Sequence, residues 1–307
     1  MRGQRKRFKD AITVWGPCES YDIMWMEDRM NDSIYYLNGD YLAAAEAALP
    51  LNDLGIVRGY GVFDLLRTYD GVPFRLREHV ERLQRSAHAI GLALPWDAAT
   101  IEAIALDTYR RNHLANATIR IIVTGGPSPN FMTPQGNPTL AVMVEPVTRN
   151  TPEEYEQGVT LLTVEMARFL PAVKSLNYIA AIMAMQQASA AGAVEALYRD
   201  AAGYVSECTR SNLFVFQGDR LVTPKDDVLL GITRAVVMEI ASDSFEVYEG
   251  PLHYRDLLAA DEAFITSSTK EILPVTQIDG HVIGQGRPGP RTRKLMALFE
   301  VAAQAGG

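Results

Sequence analysis

The chain has 307 residues, beyond the usual limit for one compact core, so two domains or one large one are expected. Hydrophobic residues make up 48% and charged residues 21%, the balance of an ordinary globular protein rather than a disordered or fibrous one. The net charge of −8 has no long basic stripe to offset it, which argues against nucleic acid or an anionic membrane as a partner.

The first 30 residues open on the basic run Arg2-Gly3-Gln4-Arg5-Lys6-Arg7. Lys9, Asp10 and Trp15-Gly16-Pro17 interrupt the next stretch, so no signal peptide is expected. These residues read as a loosely held extension, with Met30 an alternative first residue. Residues 33–37 and the turn Asn38-Gly39-Asp40 predict a hairpin, and Gly61–Tyr69 an apolar strand ending at the turn Asp70-Gly71. Leu76, Val80, Leu83, Ala87 and Ile90 recur at helical spacing up to Gly91, and a second helix starts after Asp97 as its cap. Strands are expected at 118–124 and 139–144, separated by the glycine- and proline-rich loop 125–138. Pro146-Val147-Thr148-Arg149-Asn150-Thr151-Pro152 is polar and flanked by prolines, the pattern of a domain boundary. The expected division is an extension (1–30), a small domain (31–146), a linker (147–152) and a large domain (153–307).

Beyond the linker, the pattern predicts a strand at 159–164 and an alanine- and methionine-rich helix from 177 to about 191. Short strands come next at 195–198, 204–207, 213–216 and 221–223, then a helix at 233–241. A strand at 264–267, a hairpin around Asp279-Gly280 and a helix at 290–302 close the chain. Strands and helices mix without regular alternation, which favours an α+β fold. The longest strongly apolar run in the C-terminal half, residues 179–185, is far shorter than the ~20 residues of a membrane span.

Cys18 and Cys208 lie far apart with no metal or redox spacing, which points to the reducing cytoplasm, and Cys208 reads as a small filler on a strand. His79, His88, His113, His253 and His281 include no His-x-x-x-His pair, so no metal site is expected.

The chemistry concentrates in three segments. Val173-Lys174-Ser175-Leu176-Asn177-Tyr178 offers an amine able to condense with an aldehyde. Glu207-Cys208-Thr209-Arg210-Ser211-Asn212-Leu213-Phe214 offers a carboxylate on a strand, and Leu230-Gly231-Ile232-Thr233-Arg234 a glycine turn that opens a helix where an anion can bind. Singly, each is ordinary: a loop lysine or a strand-end glutamate is usually surface charge. In this order they resemble the class IV pyridoxal phosphate aminotransferases, from about Tyr35 to about Phe299. The connection from Pro224 to Val228 is shorter than is usual in that family, and Leu230 stands where a proline is common.

That resemblance implies a fold type IV architecture, with a small N-terminal α/β domain, a larger α+β domain and pyridoxal 5'-phosphate between them. It also implies a homodimer in which loops of one subunit complete the site of the other. Lys174 would be the cofactor-bearing and catalytic base. Glu207 would hold the ring nitrogen. Leu230, Ile232 and Thr233 at the helix start, Ser268 and Thr269 past a strand, and Arg82 of Glu78-His79-Val80-Glu81-Arg82-Leu83 would hold the phosphate. Read without the motif, Arg82 is as well explained as an exposed helix residue.

For the substrate carboxylate, the D-amino acid transaminases have an Arg-x-His pair in the loop where this chain has Asn130-Phe131-Met132. A non-standard group of them resembles this chain instead at Arg58-Gly59-Tyr60-Gly61-Val62-Phe63-Asp64 and at Arg120, so Arg58 and Arg120 are expected to converge on one carboxylate. Arg210 would be a third contact or a partner behind the site. The activity expected is transamination between an amino acid, D-configured by first choice, and a 2-oxo acid such as 2-oxoglutarate. L-branched-chain transamination, an aminodeoxychorismate lyase and a non-catalytic cofactor-binding protein remain open.

Overall fold

The computed structural model describes residues 33–306, so the basic extension and Cys18 lie outside the described residues. Two sheets organise the chain. The first takes its strands from β1 (Ile34–Leu37), β2 (Asp40–Ala43), β3 (Gly61–Tyr69), β4 (Val72–Pro73), β5 (Ala117–Thr124) and β6 (Thr139–Pro146). They are ordered β2-β1-β6-β5-β3-β4, with every pairing antiparallel. Period-two alternation decides its faces. Val62 and Leu66 of β3 and Ile119, Ile121 and Val123 of β5 turn one way, into a core closed by helices α2 (Leu76–Ala89) and α3 (Ala98–Arg111). Phe63, Leu65, Arg67 and Arg120 occupy the alternate positions, on the opposite face.

Between β2 and β3 lies a short helix, α1 (Leu54–Arg58), which the sequence pattern does not predict. Its cap is the fully buried Asp53, which accepts from Gly55 N at 2.7 Å and from the hydroxyls of Thr124 (2.8 Å) and Thr139 (3.0 Å). One aspartate thus starts the helix and ties it to two strands. A second unanticipated helix, α4 (Pro152–Gln157), begins where Pro152 suggested only a break. Proline is tolerated in the first turn, and Thr151 with Glu154 forms a capping box.

The second sheet contains β7 (Val159–Glu165), β8 (Glu195–Arg199), β9 (Tyr204–Cys208), β10 (Asn212–Gln217), β11 (Arg220–Thr223), β12 (Glu246–Glu249), β13 (Leu252–His253), β14 (Glu262–Ser267), β15 (Glu271–Ile278) and β16 (His281–Val282). Its order is β12-β11-β10-β14-β15-β7-β8-β9-β13, and the pairing of Asn212 with Glu207 joins β10 back to β9. The run from β10 through β14, β15, β7 and β8 to β9 is therefore a closed ring, filled by Leu161, Leu197, Leu213, Ile265 and their neighbours. Helices α5 (Ile179–Ala190), α6 (Ile232–Ala241), α7 (Tyr254–Leu258) and α8 (Pro290–Gln304) complete the chain. Cys208 is buried on β9, as a filler residue would be. No helix among the described residues is long and apolar enough to cross a membrane.

The two sheets meet along the open face of the first. Arg67 on β3 pairs with Glu271 at 2.7 Å, Ser268 Oγ donates to the carbonyl of Leu65 at 2.9 Å, and Phe63 packs edge-on against Tyr178.

Candidate active site

Lys174 sits where the two sheets approach. Its segment lies along the start of β3: Phe63 N donates to the Lys174 carbonyl at 2.9 Å and Leu176 N to the Gly61 carbonyl at 3.0 Å. Only glycine fits at position 61, because a Cβ there would come 2.6 Å from the Val123 carbonyl oxygen and 2.7 Å from Leu176 Cδ1. Ser86 Oγ on α2 accepts the Lys174 N–H at 3.2 Å. With its backbone so fixed, the side chain passes beside Phe63, with Nζ 4.6 Å from the ring centre, and makes no hydrogen bond or ion pair among the described residues.

Two cations and two carboxylates surround that amine. Burial, reinforced by the Arg82 charge, lowers the Lys174 pKa to about 8 against the opposing pull of Asp64 and Glu207. About a tenth of the amine is then uncharged at pH 7, against well under a thousandth for a free lysine.

Arg82 is buried on α2, not on the helix surface. Its Nε and Nη2 fork onto the two oxygens of Asp64 at 2.8 Å each, and Nη1 donates to the carbonyl of Leu230 at 3.2 Å. The arginine therefore reaches from the helix on the first sheet to Leu230, two residues before α6. Asp64 is fully buried, in register with Val62 and Leu66. Burial opposes its ionisation, but Arg82 and His79 outweigh that and hold the carboxyl well below the usual carboxylate range. His79 Nδ1 lies 2.7 Å from the same carboxylate, and burial pushes its pKa down.

Glu207 lies near the end of β9, 3% exposed. One carboxylate oxygen meets Arg168 Nη1; the other accepts Leu229 N at 3.0 Å and Asn212 Nδ2 at 3.3 Å. Asn212 also donates to the Leu229 carbonyl at 2.8 Å, so the glutamate and asparagine of the strand motif together clasp the segment leading into α6. Burial raises the Glu207 pKa, and Arg168 works against that rise. The α6 start, Gly231-Ile232-Thr233, has no side-chain cap, and Thr233 is buried. Its first N–H groups face outward along the helix axis, ready to receive an anion. Arg234 instead secures the helix, donating to the Pro224 carbonyl at 3.0 Å and to Glu249 at 2.8 Å.

Lys174, Arg82, Glu207, Leu230, Ile232 and Thr233 thus belong to one neighbourhood, joined by the Arg82 and Glu207 bonds. Ser268 and Thr269 form the turn between β14 and β15, against β3. Arg120 is half-buried, 5.4 Å from the Phe63 ring centre, with its pKa lowered by burial. It has no carboxylate or carbonyl partner among the described residues. No hydrogen bond or ring contact joins it to Arg58 among the described residues. Arg58 ends α1 exposed, and its Nη1 donates to the adjacent Val57 carbonyl at 2.7 Å, as a basic residue does at a helix C-terminus. Arg210 is also exposed and turns to Glu195, with its N–H 3.0 Å from that carboxylate, so it stands behind the site.

Sequence reasoning passed over three neighbours. Asp64 carried a signal, a carboxylate at an inward position of an apolar strand. Tyr178 lay inside the lysine motif without a role of its own. Arg168 carried no signal: a loop arginine looks like surface until Glu207 is seen beside it.

Residues 61–278 match the model of the amino-transferase class IV family. The chain is 39% identical over 275 residues to a putative branched-chain-amino-acid aminotransferase of Methanocaldococcus jannaschii, covering 86% of this chain and 94% of that one. It is 35% identical over 269 residues to the D-alanine aminotransferase of Bacillus licheniformis, with the same coverage of 86% and 94%. Among solved structures, it is similar to the Escherichia coli branched-chain amino acid aminotransferase (TM-score 0.84, 28% identity, 88% of this chain and 94% of that one). The branched-chain aminotransferase of Thermoproteus uzoniensis with norvaline is similar at a TM-score of 0.83 and 30% identity, over 89% and 95%.

The geometry makes two predictions. Asp64→Ala leaves the Arg82 charge buried without its partner and should cost about 3–5 kcal/mol of stability in urea unfolding; a loss under about 1 kcal/mol would contradict the fork's importance. The second concerns the rate at which the Lys174 amine condenses with a small added aldehyde. It should climb about tenfold from pH 7 to a plateau, with its midpoint at the lowered pKa of about 8 rather than near 10.5.

Proposed function

The chain belongs to the class IV aminotransferases, and from that premise we propose that it moves the amino group of D-amino acids to a 2-oxo acid such as 2-oxoglutarate, using pyridoxal 5'-phosphate bound at Lys174. The observation that carries this reading is the desolvated amine of Lys174 between Arg82 and Glu207.

The residues fit that cofactor. A phosphate matches the uncapped first turn of α6 and the nearby Arg82 guanidinium, and Gly231 lets Asn212 pack against that turn, since a Cβ there would come 2.2 Å from Asn212 Oδ1. Arg82, Ile232, Thr233, Ser268 and Thr269 would hold the phosphate, with the Leu230 carbonyl orienting Arg82. When bound, pyridoxal 5'-phosphate supplies an aldehyde and a ring that accepts the electron pair left when the substrate loses its α-proton.

Lys174 Nζ is the group that takes up and returns that proton, and its low pKa is what keeps a share of it unprotonated near neutrality. Glu207, held by Arg168 and two further donors, is the partner of the ring nitrogen. Arg120 grips the substrate carboxylate. A half-buried guanidinium with no counter-ion is costly to keep unless an anion joins it. Arg58, exposed at the protomer surface, would serve as the second carboxylate contact only in the site of a neighbouring subunit, and Arg210 supports the Glu207 hairpin through Glu195.

The D-configured substrate rests on Lys174-Ser175-Leu176-Asn177, which resembles the Lys-Ser-Leu-Asn of D-amino acid transaminases, and on likeness to the B. licheniformis D-alanine aminotransferase. The name of the M. jannaschii relative and the solved branched-chain enzymes favour L-branched-chain amino acids as the second reading. We read the two sheets as small and large domains joined through residues 147–152, and the assembly as a homodimer in the cytoplasm. The exposed Ile179, Ile182 and Met183 of α5 support a covered, subunit-facing surface there.

Paired D- and L-alanine, glutamate and leucine, added separately while the cofactor's absorption band is followed, test the substrate. D-alanine and D-glutamate should shift the band; a shift with L-leucine alone overturns the first reading. Arg120→Ala should raise the KM for amino acids by an amount equivalent to about 2–5 kcal/mol while a simple amine binds nearly as before. Equal KM values in parent and variant would remove Arg120 from the substrate site.

A further inference from the structure

The ring of strands beneath Glu207 should be filled with aliphatic side chains, and mostly it is. At one end it holds a charged pair instead. Glu195, at the start of β8, is fully buried, and Lys270 Nζ lies 2.5 Å from its Oε1 with the lysine side chain only 7% exposed. The same carboxylate accepts the Ser211 hydroxyl at 2.9 Å on Oε1 and the Arg210 N–H at 3.0 Å on Oε2, and it faces the Thr209 hydroxyl at 3.3 Å. Burial pushes the Glu195 pKa up, but Lys270 and Arg210 outweigh it and hold the group ionised.

Stability alone does not account for this pair, since well-packed apolar residues of similar size usually serve a protein interior as well or better. Its position does. Thr209, Arg210 and Ser211 lie in the turn between Glu207 on β9 and Asn212 on β10. Lys270 directly follows Ser268 and Thr269, and its backbone is fixed as well, with N–H donating to Ser267 Oγ at 3.2 Å and carbonyl accepting from the Tyr155 hydroxyl at 3.0 Å. One ion pair therefore joins the two segments assigned above to opposite ends of the cofactor.

We propose that Lys270 is a positioning residue: through Glu195 it locks the Ser268-Thr269 turn to the hairpin carrying Glu207, fixing the distance between the phosphate grip and the ring-nitrogen partner. This rests on the functional reading of Glu207, Ser268 and Thr269. Lys270 itself would touch neither cofactor nor substrate.

Lys270→Met keeps the side-chain length and removes the charge. In the full-length protein, the dissociation constant for pyridoxal 5'-phosphate should rise about tenfold or more, with a displaced absorption maximum in the loaded variant. Lys270→Arg should restore both. Combined with Glu207→Gln, Lys270→Met should weaken cofactor binding by much less than the product of the two single effects, because both act on one contact. An unchanged dissociation constant and absorption maximum, with only the melting temperature lowered, overturns the inference. If Lys270→Met does not fold, Ser211→Ala removes one hydrogen bond to Glu195 and leaves the ion pair; it should still weaken cofactor binding about threefold or more, and unchanged binding overturns the inference equally. A parent protein that takes up no pyridoxal 5'-phosphate sinks the functional reading itself, whereas a parent that binds it and a variant that binds it identically sink only the role of Lys270.

Discussion

Everything at this site depends on stripping water from one amine without neutralising it through a direct salt bridge. Lys174 has carboxylates nearby, but each is already engaged: Asp64 by Arg82 and His79, Glu207 by Arg168, Asn212 and the Leu229 N–H. The amine is left to the face of Phe63 and to the repulsion of two arginines, and its pKa falls through burial and that repulsion together. A lysine bonded to either carboxylate would keep its proton.

The fold meets this constraint by division of labour. The antiparallel sheet contributes β3, which carries Phe63 and Asp64 and holds the backbone of Lys174. The closed ring of the second sheet contributes Glu207 and the turn at Ser268, and α6 contributes an uncapped helix start. Contacts between the halves include three around the site, Arg82 to Leu230, Ser268 to Leu65 and Arg67 to Glu271, and others away from it, Arg75 to Glu239 and Phe74 against Phe299. Docking the two halves therefore also brings the parts of the site together. Charges are buried around the site, and a few elsewhere, such as Asp53 and Glu262, serve the fold by capping or pinning a helix start.

Most strands and long helices could be read from the chain because alternation and helical spacing are strong local signals, as at Gly61–Tyr69 and at Leu76 to Ala87. The short helices could not. Leu54–Arg58 is started by Asp53, but its value lies in Thr124 and Thr139, far along the chain, and Pro152 looks the same whether it ends a segment or begins a helix. That Lys174, Glu207 and the turn at Gly231 would lie close together was legible from their order in the chain. Arg82 was legible only through its motif, its burial being a property of Asp64 across the helix–sheet contact. Arg168, Lys270 and Glu195 were invisible, since nothing near them in sequence says that a charge is buried or with what. The relation of Arg58 to Arg120 depends on how α1 leaves the sheet, which no local pattern encodes.

The most direct test of Lys174 as the cofactor-bearing amine is chemical. Purified protein saturated with pyridoxal 5'-phosphate is reduced with borohydride, digested, and its modified peptide sequenced. One stable pyridoxyl label is predicted, on the peptide containing Val173-Lys174-Ser175-Leu176-Asn177. A label on another amine, or none, would contradict that role.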